Sequence, residues 1–146
     1  MPGSVATVSV DEHVDIEQFH AGHDAAFEAV ARARRGREPV VILTEVAVGF
    51  VRVVTRRGVF ADPSTAPEAM AALDAWCSSP VMDVREAGRG RWAVFEGIMS
   101  RYSLSGGDVH DGLLAAAALS ADATLMTSDR GFLRFEGLPV ELLAFA

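Results

Sequence analysis

The chain has 146 residues, half of them hydrophobic, and a net charge of −7 at neutral pH. That length suits one domain over residues 1–146, burying roughly two-thirds of its unfolded surface, and the apolar content excludes a disordered chain. The negative charge argues against a protein held on nucleic acid by bulk electrostatics, while leaving room for an acidic site that meets phosphate through a metal.

The 13 cationic residues are all Arg, a side chain that grips phosphate or carboxylate through two donors at once. Cys77 is the single cysteine, so no intrachain disulfide can form and a reduced, cytoplasmic setting is expected. The N-terminus shows no basic segment ahead of an apolar run, so no signal peptide is expected. The longest apolar stretch, Val40 to Val54, is interrupted by Glu45 and Arg52 and is too short to span a membrane.

In chain order, Thr7-Val8-Ser9-Val10 alternates and predicts a short first strand ending at Asp11. Phe19, His23, Ala26, Phe27 and Val30 recur at helical spacing, and Gly36 suits the end of that helix. Val40-Val41-Ile42-Leu43 predicts a strand, continued past Thr44 as a helix to about Thr55, with Thr44 as its cap. Thr65-Ala66-Pro67-Glu68 has the spacing of a capping box, with Pro67 early in the helix where its missing N–H does no harm. Val81 to Val84 is a further strand. Trp92, Phe95, Met99 and Tyr102 share a helical face. A helix over Asp108–Leu119, a strand over Thr124–Thr127 and a last strand near Leu138–Leu143 complete the pattern. Strands alternating with helices predict an α/β fold with a central parallel sheet covered on both faces.

Four carboxylates stand out. Asp111 lies at the start of an apolar helix and Asp129 where a strand stops, 18 positions apart. Open α/β sheets assemble acidic sites in this way, beyond the carboxyl ends of their strands. Glu45 opens a helix flanked by residues that look buried, and a buried carboxylate needs a partner or a metal. Asp11 follows the first strand, with Glu12 and Asp15 competing for its role. Structural readings stand beside these: Asp108 and Asp111 suit a helix start, and Asp129 suits a cap on the turn after it. His20 and His23 are three apart without a third nitrogen or sulfur ligand at suitable spacing. His110 is placed to touch a substrate or to serve the helix start. Arg52, Arg56 and Arg57 suit either phosphate or a solvated helix end. No phosphate-binding Gly-rich loop, Gly-x-Ser-x-Gly or Cys/His zinc pattern is present.

At these residues the chain resembles the PIN-domain family, in particular the VapC-type ribonuclease toxins of bacterial toxin–antitoxin pairs. The likeness rests on Phe50 to Thr55 with Gly58-Val59-Phe60, and on Val109 to Ala116 with Thr124 to Phe132. It extends from about residue 20 to the end. The resemblance implies a three-layer α/β/α fold, a Mg²⁺ or Mn²⁺ cofactor, endonucleolytic cleavage of RNA, a VapB-type antitoxin partner and a homodimer. It places Asp111 and Asp129 at the family's two C-terminal acids and Asp11 at the acid after its first strand. Three positions depart from the pattern. His13 stands where the family has Asn, and Gly131 where a further acid is common. The family's Glu falls on Gly49, with Glu45 one turn earlier on the same face. Asp11, Glu45, Asp111 and Asp129 are therefore the expected metal and catalytic set. The alternative is a catalytically degenerate PIN-like module that binds a partner or RNA without cleaving it. A receiver-like domain fits less well, because the chain has no Lys to sit beside a phosphorylatable Asp.

Overall fold

The computed structural model describes the backbone of residues 4–6 and residues 39–58, 62–127 and 129–142. Five strands form one sheet: β1 (Ser4–Ala6), β2 (Val40–Leu43), β3 (Met82–Arg85), β4 (Thr124–Thr127) and β5 (Val140–Leu142). Their order is β3-β2-β1-β4-β5, and every pairing is parallel. Val5 of β1 stands opposite Val41 on one side and Leu125 on the other. The chain thus builds outward from β1 in one direction, then returns to build outward in the other. The reversal lies between β1 and β4, and in open α/β sheets ligands collect at that point, beyond the carboxyl ends of the strands.

Four helices are described: α1 (Thr44–Val54), α2 (Ala66–Trp76), α3 (Arg91–Arg101) and α4 (Gly107–Ser120). Strand β2 runs into α1 without a loop. Leu43 is the cap residue and offers no side-chain hydrogen bond. Thr44 is therefore already helical, and the cap expected of it is not made. The Thr65 box is formed as expected: the hydroxyl accepts from the Glu68 N–H at 3.3 Å and the Glu68 carboxylate accepts from the Thr65 N–H at 2.9 Å. Helix α4 is buried around most of its middle, with Ala115, Ala116 and Ala118 fully enclosed. Alanines let its backbone lie close to its neighbours, and Gly112 extends this: a Cβ there would sit 2.8 Å from Leu104 Cδ1 and 3.4 Å from Ile98 Cγ2. Leu125 of β4 and Phe132 beyond it are fully enclosed in the same core.

Strand β1 occupies residues 4–6, and the expected strand at Thr7–Val10 lies outside the described residues, as does the expected helix before Gly36. Among the described residues no helix is long and apolar enough to cross a membrane.

Candidate active site

Helix α4 leads into β4, so its first turns lie at the carboxyl edge of the strand that follows it. Asp111 is in the second turn of α4, with its side chain 20% exposed. Burial pushes the Asp111 carboxyl above the usual carboxylate range. Repulsion from Asp129 adds to that, and the Arg134 guanidinium opposes it. Desolvation and a like charge both disfavour the ionised form. Asp129 follows β4 by two residues and caps the 3₁₀ turn Arg130–Arg134: its Oδ1 accepts from the Gly131 N–H at 2.7 Å. Its own N–H donates to the hydroxyl of buried Thr127 at 3.1 Å. The turn expected after Asp129 is formed, and its cap fixes where the carboxylate stands.

The expected cap at Asp108 is not made. Gly106 is the cap residue of α4, with φ at 59° and no side-chain bond. Asp108 lies instead in the first turn, where an acid is favourable against the helix dipole. Arg134 joins these acids, its Nη2 lying 3.4 Å from both Asp108 Oδ1 and Asp111 Oδ2. Exposed His110 adds a weak lowering influence on Asp111.

Glu45 occupies the same edge of the sheet, two residues past β2. Strands β2 and β4 flank β1, so Glu45 and Asp129 follow strands about 10 Å apart, two strand spacings. Glu45 Oε1 accepts from Arg91 Nη1 at 2.5 Å, a contact that ties α1 to the start of α3. Its Oε2 is buried and has no hydrogen-bond partner among the described residues. A buried carboxylate oxygen without a donor is costly, and a cation would satisfy it. Asp11 lies outside the described residues, as do His13, His20 and His23. Strand β1 ends at Ala6, between the strands that carry Glu45 and Asp129. Among the described residues no three His, Cys, Asp or Glu side chains gather tightly enough to enclose a metal ion. Asp111 and Asp129 come within electrostatic reach of each other, while Glu45 follows β2 on the far side of β1. Hard oxygen donors, mutual repulsion and an orphaned carboxylate oxygen fit a hard divalent cation.

A family model for the PIN domain matches residues 10–138. The chain belongs to the PIN domain family. It is 36% identical over 119 residues to a VapC ribonuclease of Mycobacterium bovis, covering 82% of this chain and 79% of that one. It is 32% identical over 120 residues to the ribonuclease VapC48 of Mycobacterium tuberculosis, covering 81% and 82%. Its fold matches a chain from the crystal structure of VapBC2 from Rickettsia felis bound to a DNA fragment from their promoter, with a TM-score of 0.65 at 14% identity, over 96% of this chain and 99% of that one. The expected α/β PIN fold is therefore the observed one.

Two departures from the PIN pattern acquire physical content. A Cβ on Gly131 would stand 2.9 Å from Asp129 Oδ1. A second acid at that position would displace the first, so the glycine goes with the cap. At Gly49 a Cβ would meet nothing within 4 Å, so a side chain there has room. No motif or spacing marks Arg91 and Arg134. They lie 46 and 23 positions from the acids they hold, a separation without periodic signal. Arg52, by contrast, borders an apolar groove between α1 and α2 with Val48, Met70 and Asp74.

Proposed function

We propose that this protein is the toxin of a VapBC-type pair, an endoribonuclease that hydrolyses RNA phosphodiester bonds with Mg²⁺ or Mn²⁺. The observation that carries this reading is the mutually repelling Asp111–Asp129 pair at the switch of the sheet, with the buried oxygen of Glu45, unpartnered among the described residues, two residues past β2 at the same edge. The names of the mycobacterial relatives support RNA as substrate. The VapBC structures of like fold support a VapB-type antitoxin partner. A homodimer belongs to the same reading.

Glu45, Asp111 and Asp129 would hold the cation, with Asp11 as the fourth expected ligand. A divalent ion bound there supplies a water of lowered pKa and offsets charge on the scissile phosphate. The chain's own groups arrange this. The Gly131 N–H and the Thr127 hydroxyl fix Asp129. Arg91 holds one oxygen of Glu45, and the other has no donor among the described residues. Burial keeps bulk water from screening Asp111 and Asp129. No side-chain nucleophile is required. An acidic cleft reaches an exposed backbone best, so single-stranded or looped RNA is the expected substrate.

Cleavage of a mixed RNA pool by the purified chain, with Mg²⁺ or Mn²⁺, tests this beside EDTA and Asp111→Asn. Cleavage lost in both controls is the expected result. Intact RNA at high concentrations of folded protein and metal would sink it and leave a PIN module that binds without cutting, a reading that Gly131 favours.

A further inference from the structure

We propose that Arg134 is the residue that grips the substrate phosphate, stored on Asp108 and Asp111 until a divalent cation takes Asp111. This rests on the metal-dependent ribonuclease reading and goes beyond it in assigning the phosphate to a side chain of this protein.

The guanidinium is badly placed for a permanent structural pair. Charge-assisted N–H···O bonds close to about 2.7–2.9 Å. Arg134 instead divides itself between two carboxylates at 3.4 Å each. A loose, shared pair is easily given up. Arg134 is nonetheless held at the site by something other than those acids. Its guanidinium carbon lies 4.9 Å from the centre of the Phe135 ring, and Phe135 is buried. That cation–π contact persists when the carboxylates are taken by a metal.

The space around the guanidinium is also prepared. Its Nη1 lies 3.6 Å from the point where a Cβ on Gly131 would stand, and Asp129 Oδ1 lies 2.9 Å from the same point. The missing side chain at 131 therefore leaves room that the arginine and Asp129 both border. A further acid there would crowd the guanidinium and neutralise it. The side chain is about one-third exposed, so it reaches ligand as well as protein.

The chemistry follows from competition. A divalent cation held by Asp111 would compete with Arg134, whose Nη2 lies 3.4 Å from that carboxylate. The cation carries the larger charge and repels the guanidinium. Released from Asp111, Arg134 keeps Asp108 beside it and has donors to spare next to the metal. A planar guanidinium cannot lose its proton and matches two phosphate oxygens at once. RNA bound across the metal would bring its phosphate to those donors. Without metal the same arginine partly neutralises the acids and keeps the empty site compact.

The test measures metal and RNA binding separately from cleavage. Mn²⁺ affinity is determined by calorimetry for the wild-type chain, Arg134→Ala, Arg134→Gln and Arg134→Lys, with Arg101→Ala as the control. Arg101 pairs with Glu136 on the surface, so that control should bind Mn²⁺ as the wild type does. With the competing charge removed, Arg134→Ala and Arg134→Gln should bind Mn²⁺ about three- to tenfold more tightly. Arg134→Lys should stay near the wild type. Binding of a single-stranded oligoribonucleotide is then followed against salt with Ca²⁺ present and the RNA checked to be intact. Loss of one phosphate contact should make the slope of log K against log salt shallower by roughly 0.7 in Arg134→Ala, and Lys should restore it. Unchanged or weaker Mn²⁺ binding by folded Ala and Gln variants, or an unchanged salt slope, overturns the proposal while leaving the ribonuclease reading intact. A folded wild-type chain that binds no Mn²⁺ overturns both.

Discussion

The Glu45 corner and the C-terminal acid cluster share one edge of the sheet, yet they solve the problem of a buried carboxylate differently. Glu45 has one arginine, close and directional, and both side chains are about three-quarters buried. The pair joins α1 to α3 and leaves a single oxygen for a ligand. The C-terminal cluster has three acids, Asp108, Asp111 and Asp129, against one loosely shared arginine. There the charge is not balanced, and burial first, with repulsion from Asp129 added, holds the proton on Asp111 to higher pH. One corner is built to fix an oxygen in place. The other stores repulsion that a cation would relieve.

The largest expected effect comes from the unbalanced side. Asp111→Asn should lower metal-dependent RNA cleavage by more than the roughly ten- to hundredfold that loss of an outer partner costs. The measurement is initial rate at saturating Mn²⁺, and a variant within threefold of wild type would remove Asp111 from the site. Arg91→Ala comes next. It strands a mostly buried carboxylate, and we expect about ten- to hundredfold lower activity or metal affinity together with lost stability. Glu45→Gln in the same background should recover stability but not activity. If the double variant is no more stable than Arg91→Ala alone, the two residues are not energetically joined.

Burial of Asp111, with the repulsion added to it, gives a pH signature. The native pKa of Asp111 lies above its unfolded value, so the native state binds the proton more tightly. Stability of the metal-free chain should therefore fall as pH rises from the ordinary carboxylate pKa, about 3.9, through the raised native one. The penalty is complete once the pH exceeds the native pKa. Asp111→Asn should then melt about 2–4 °C higher than wild type without metal at pH 7, an advantage that shrinks with Mn²⁺ or acid. Equal melting temperatures at pH 7 would mean that the arginine already balances the cluster.

The smallest effects separate the two glycines. Gly131→Ala places a methyl 2.9 Å from Asp129 Oδ1 and should weaken Mn²⁺ binding measurably. Gly49→Ala has open space in a helix interior and should stabilise the fold by about 0.5–1 kcal/mol. Chemical denaturation of both variants checks this, and a stabilised Gly131→Ala with unchanged Mn²⁺ affinity would show that the cap at Asp129 tolerates crowding.

Much of the frame was legible in the residues. Strands at Val40–Leu43 and Thr124–Thr127 are short β-branched or apolar runs, and their neighbours announce helices through periodicity. The capping box at Thr65 could be read directly because all of its partners lie within four residues. Thr44 misled for a related reason: a threonine between strand and helix looks like a cap, but only the backbone path decides that Leu43 takes the role. Residues 4–6 pair between β2 and β4, and the alternation of Thr7–Val10 just beyond them lies outside the described residues.

What the sequence by itself determined is the local grammar: alternating elements, the acids at element boundaries, and the glycine two residues after Asp129. Each depends on groups a few positions apart, where the spacing of side chains along a helix or strand carries the information. What only the tertiary structure decided is the balance of charge. Strand order brings Glu45 and Asp129 to either side of β1. Packing of α3 and of the turn after β4 delivers Arg91 and Arg134 to acids far away along the chain. Burial then strengthens those contacts and repulsions, because desolvated charges are poorly screened. A linear pattern shows that acids are present. Three-dimensional packing decides which of them are neutralised and which are left unbalanced.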